Sequence, residues 1–102
     1  MTNEDNLDER MIGIANNYFL ARRILNTALS LTDENFNILC AYINNVKKAF
    51  SSLETEEQTF INNEYFYQAA PEWWKKTLTL NAYKKIKKQS ICHFLEVFRV
   101  SY

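Results

Sequence analysis

"TLNAYKKIKKQSICHFLEVF", residues 79–98, is the stretch on which the fold turns. Tyr83, Ile86, Ser90, Ile91, Phe94, Leu95 and Phe98 recur at helical spacing, which gathers them on one broad side of an α-helix. Asn81, Lys84, Lys85 and Lys88 fall on the opposite side. Thr79 is a good amino-terminal cap, so the pattern predicts a helix from Thr79 to about 99 with its apolar side buried. Lys84, Lys85, Lys87 and Lys88 crowd the first half of that helix, where the positive end of the helix dipole disfavours cations. Two readings follow. The lysines are the solvated face of a core helix, or they are held there for an anionic partner.

Working upstream, "AAPEWWKK" (69–76) puts Pro71 at a first helical position with Glu72 behind it, which predicts a short helix over about 71–76. On such a helix Trp73 and Trp74 point about 100° apart and cannot share a small pocket. One is expected in the core and one at the surface, and the outer one is a candidate anchor for a protein partner. "SSLETEEQ" (51–58) carries a capping-box spacing at Thr55 and Gln58, opening a helix whose apolar face is Phe60, Ile61 and Tyr65 and whose end lies near Tyr67. Glu56, Glu57 and Glu64 read as its wet face.

Further upstream, Thr32 in "SLTDEN" (30–35) can cap a helix with the stripe Phe36, Leu39, Ile43, Val46 and Phe50. Before it, Met11, Ile14, Tyr18, Ala21, Leu25 and Ala28 step by three and four over a helix predicted from about 7 to 29. Arg22 and Arg23 fall off that stripe. Two stripes joined by a short loop predict an antiparallel helix pair over 1–52. They either close the core of one bundle, the preferred reading, or pair with a second copy across a dimer interface.

The 102 residues fit one domain, an amino-terminal helix pair (1–52) followed by a second part (53–102). The chain is 47 % hydrophobic and 15 % aromatic, enough for a real core. Gly13 and Pro71 are the only residues of their kinds, whereas all-β folds need many such residues in their turns. The expected fold is therefore all-α, a small bundle of about five helices. No apolar run approaches a membrane span, and the start "MTNEDNLDER" is acidic rather than a basic secretory leader, so a cytoplasmic protein without a membrane partner is expected. Cys40 and Cys92 have no CxxC spacing and read as buried free thiols of a reducing compartment in preference to a disulfide. His93 is the only histidine and reads as a satisfied, partly buried side chain rather than a metal ligand. Nothing resembles a phosphate loop or a nucleophile–base pair, so neither enzyme activity nor a cofactor is expected.

Charge is uneven although the formal net is zero. Residues 72–102 carry a net +5, and the first 71 the compensating −5, an asymmetry that points toward an anionic partner. In the same region, "LETEEQTFINNEYF" (53–66) resembles the opening helix of the carboxy-terminal helix-turn-helix of bacterial sigma factors. "LTLNAYKKIKKQSICHFLEVF" (78–98) is similar to the closing helix of the ArpU and RinA class of phage late transcriptional regulators. A Ser/Thr cap, a tyrosine, a basic cluster, a small residue, then Ile and Phe are matched by Thr79, Tyr83, Lys84 to Lys88, Ser90, Ile91 and Phe94. The glycine that many such units carry in the turn is missing before Thr79. The resemblance implies a carboxy-terminal helix-turn-helix-like unit and a DNA-binding, sigma-like transcription regulator. Its last helix would enter the major groove, with Thr79 at its cap and Leu80, Asn81, Lys84 and Lys85 near the bases. Lys75, Lys76, Lys87 and Lys88 would contact phosphates, with a second copy or RNA polymerase adding affinity. The rival expectation is a helical adaptor that binds protein alone, with Trp73 or Trp74 as anchor.

Overall fold

A computed structural model describes the backbone of residues 3–27, 30–67 and 69–100, and the side chains of those residues except 3–5, 99 and 100. The two amino-terminal stripes become α1 (Asn3–Thr27) and α2 (Asp33–Ser51). Thr32 caps α2 as its sequence demands. Its backbone is extended and its side chain accepts the Asn35 N–H at 3.1 Å, with Asp33 and Glu34 in the following turn. Next come α3 (Thr55–Ile61), a π-helical turn (Asn62–Phe66) and α4 (Leu80–Val100). The described residues contain no strand and four α-helices, so the chain is all-α; the sequence pattern predicts about five helices. Ala28, the last position of the first stripe, lies outside the described residues.

The apolar faces meet in one core. Met11 and Ala15 of α1, Val46 and Ala49 of α2, Phe60 and Ile61 of α3, Tyr65 of the π-turn, and Ile86, Ile91, Phe94 and Leu95 of α4 are all buried in it. The inward side read from the α4 spacing is therefore realised, with Tyr83 and Phe98 half-buried at its margins. Phe36 departs from its stripe and is 49 % exposed. The ring of Phe98, close to the end of α4, meets Tyr42 of α2 at 5.8 Å.

Three local expectations fail for identifiable reasons. The capping box of α3 is built one residue earlier than Thr55 and Gln58. Glu54 is the cap, and its N–H donates to Glu57 Oε1 at 3.1 Å. The short helix over 71–76 does not form. Residues 71–77 make successive turns, and Glu72 sits at φ 62, a left-handed conformation that no α-helix contains. The cysteines are free, but Cys40 is only half-buried and Cys92 is exposed.

The π-turn explains how α3 ends. The Tyr67 N–H donates to the Asn62 carbonyl, five residues back. Tyr65 and Phe66 both turn inward from this π-turn. Tyr65 is buried toward α1, and Phe66 packs on the rings of Tyr18, Phe50 and Phe94.

Candidate nucleic-acid interface

The start of α4 is set by Thr79. Its Oγ1 accepts the Ala82 N–H at 3.1 Å, and its carbonyl accepts the Tyr83 N–H at 2.8 Å. This cap fixes the phase of the helix, and with it the direction of every side chain in the lysine cluster. Leu80, Asn81, Lys84, Lys85 and Lys88 are exposed. Among the described residues no carboxylate pairs with Lys84, Lys85 or Lys88, nor with the exposed Lys76 of the preceding connection. Lys75 pairs with Glu72 at 2.9 Å, on a side chain more than half exposed, and such a surface pair contributes little.

Lys87 is different, and its assignment as a phosphate contact is corrected. Its Nζ lies 3.1 Å from Asp8 Oδ1 and 3.5 Å from Glu64 Oε2, with the side chain 24 % exposed. Around it a polar cluster joins α1, the π-turn and α4. Tyr65 donates to Asp8 Oδ1 at 2.6 Å, while Glu64 accepts from the Tyr83 hydroxyl and from Trp73 Nε1. Burial, then the hydrogen bond to Glu64, pushes the Tyr83 phenol up to about 12. Burial and the Asp8 carboxylate raise the Tyr65 phenol further, well above its ordinary range. Burial alone would lower the Lys87 ammonium, but Asp8, Tyr83 and Glu64 outweigh it and hold it above its usual value. Lys87 is a charged structural cross-link. Leu7, Asp8, Tyr83, Lys84 and Lys88 also border a small cleft of about 140 Å³, so a carboxylate stands beside the lysine face.

The two tryptophans do not divide into one buried and one exposed. Both are half-buried. Trp73 packs edge-on against Phe60 at 5.4 Å while bonding Glu64, and Trp74 stacks on Tyr83 at 4.3 Å with 24° between planes. Trp73 thus ties the connection to α3 and the π-turn, and Trp74 ties it to the first turn of α4. Glu64, read as a wet residue, is the acceptor that organises these contacts.

Glu57 is a second misread carboxylate. It is 1 % exposed, and besides the Glu54 N–H it meets Gln89 Nε2 at 2.9 Å and His93 Nδ1 at 2.6 Å. Removal from water would raise its pKa. The bonds from Gln89, the Glu54 amide and His93, together with the His93 charge, outweigh that and hold it below the ordinary carboxylate value. His93 is half exposed and reaches inward to this partner. Sequence spacing carries no signal for either contact, because Gln89 and His93 lie 32 and 36 residues away.

Among the described residues no group of three or more His, Cys, Asp or Glu side chains could hold a metal ion, and no helix is long and apolar enough to cross a membrane. No family model, curated protein or solved structure matches the chain.

Proposed function

We propose that the chain binds duplex DNA as a transcriptional regulator of the sigma-like, phage late-regulator type, with the exposed first half of α4 as the reading element. One observation carries this proposal. Lys84, Lys85 and Lys88 stand free of carboxylate partners, among the described residues, on the exposed face of the first half of α4. In this reading α3 and α4 are the packed pair of a helix-turn-helix-like unit, joined by the irregular 67–79 connection instead of a tight turn. Asn81 pairs with an adenine edge, Lys84 and Lys85 reach guanine acceptors, and Lys75, Lys76 and Lys88 hold phosphates. So few contacts make a weak binder alone, and a second copy or a polymerase subunit supplies the remaining affinity.

A labelled duplex titrated at low and moderate salt tests this. Each phosphate neutralised steepens the dependence of log K on log salt by about 0.9, so about three to five contacts give a slope near −3 to −5. The double variant Lys84→Glu, Lys85→Glu removes binding at moderate salt. Duplex binding that ignores the double variant, or no binding at low salt, sinks the proposal.

The rival reading, a helical adaptor that binds protein alone, is favoured by a different observation. Phe36 and Ile38 at the start of α2 are 49 % and 57 % exposed, an apolar pair that the described fold leaves uncovered.

A further inference from the structure

On the side of the molecule where α1, α2 and the π-turn converge lies a groove of about 380 Å³. Its wall is aromatic and preformed. Phe66 takes edge-to-face contacts from Tyr18 at 5.6 Å, Phe19 at 6.0 Å and Phe50 at 6.4 Å, and buried Val46 lies beside them. Phe19 and Tyr67 border it while 39 % and 76 % exposed, large apolar surface that the fold itself does not cover. The same wall carries two exposed cations, Arg22, whose guanidinium lies 5.6 Å from the Tyr18 ring centre, and Lys47. None of the described residues that line the groove is acidic, and neither cation has an ion-pair partner among the described residues. The π-turn that carries Phe66, with Tyr67 as its cap, is a rare backbone form that recurs at functional sites.

We propose that this groove docks an acidic amphipathic helix of a partner protein. Its apolar anchors, spaced i, i+3 or i+4, and i+7, would seat on the Phe19–Phe66–Tyr67 wall, and its carboxylates would meet Arg22 and Lys47. The uncompensated positive rim selects an acidic partner over a neutral or basic one. Single-stranded nucleic acid fits less well. The rings of the wall are packed edge against one another and mostly half-buried, so their faces are not free to stack bases. The groove shares no residue with the lysine face of α4, so the two sites fail or succeed separately.

The test uses the full chain, labelled with nitrogen-15, and three synthetic peptides. One carries Leu and Trp at i, i+3, i+4 and i+7 with Glu between them. A second replaces every Glu by Lys, and a third scrambles the order of the first. The acidic peptide is expected to shift the amides of Phe19, Lys47 and Tyr67 and to bind about tenfold or more tighter than either control, a difference of about 1.4 kcal/mol. Lys47→Glu and Tyr67→Ala, both at exposed positions, each weaken it by about fivefold or more. Tyr67→Ala leaves duplex binding intact. Equal binding of all three peptides overturns the proposal. So do amide shifts confined to other faces, displacement of the acidic peptide by a single-stranded oligonucleotide at lower concentration, or no binding.

Discussion

Replacing Glu57 by Ala should cost more stability than any other surface-type substitution in α3, although the sequence presents Glu57 as one of two adjacent glutamates on a solvated turn. The side chain is 1 % exposed and serves the Glu54 amide, Gln89 and His93 at once. Loss of the cap acceptor costs about 1 kcal/mol. Loss of a charged acceptor costs about 1.5–3 kcal/mol for each partner left dry. Gln89 and His93 are both exposed enough to take water instead, which reduces their share to the low end. The total is about 2–3 kcal/mol, or a fall in Tm of roughly 10–20 °C for a chain this size. Urea unfolding followed by circular dichroism measures it, with Glu57→Gln as the companion variant, which keeps the shape and one acceptor and loses about half as much. The pH dependence supplies an independent check. Because the folded carboxyl lies below its ordinary 4.5, the stability it contributes is present above that pH and is lost as pH falls through the lower folded value. The gap between wild type and Glu57→Gln should therefore narrow in acid. A loss under about 0.5 kcal/mol for Glu57→Ala, the range of ordinary surface changes, would refute the reasoning, as would a gap indifferent to acid.

Two further substitutions separate structural from free groups within α4. Lys87→Met strands Asp8 and Glu64 without their cation and is expected to cost about 1–3 kcal/mol, whereas Lys84→Met stays within about 0.5 kcal/mol. Equal urea midpoints for the two variants would place Lys87 back among the solvated lysines. Ser90 is fully buried and its Oγ has no hydrogen-bond partner among the described residues. Ser90→Ala should thus raise stability by about 1 kcal/mol, visible as a higher Tm, and a lower Tm would mean that the hydroxyl is bonded.

The elements that sequence reading recovered are those written in local chemistry. The α1 stripe up to Leu25, the α2 stripe after Phe36, the caps at Thr32 and Thr79, and the inward side of α4 each depend on residues within a turn or two of one another, and each is present. What was misread depends on partners far along the chain. Glu57 and Glu64 look wet because glutamate usually is, and only the approach of α4 and Trp73 turns Glu57 into a buried acceptor and Glu64 into a half-buried one. Pro71 and Glu72 carry good helix-start chemistry, but Trp73 is drawn to Glu64 and Trp74 to Tyr83, and the backbone between Pro71 and Trp73 reverses through Glu72 to reach both. The lysine face was legible as a face, with Lys84, Lys85 and Lys88 exposed as their spacing requires. That Lys87 leaves it for Asp8 could not be read locally, since Asp8, on α1, lies more than seventy residues upstream.

The π-turn also has a bearing on ancestry. Its widened ring holds one residue more than a regular helix would, so a chain descended from a common ancestor without that insertion would run straight from Ile61 toward Tyr67 and be one position shorter. Superposing the two would demand a single-residue gap inside what looks, on paper, like unbroken helix. Aligned without that gap, every position on one side of the turn would be offset by one.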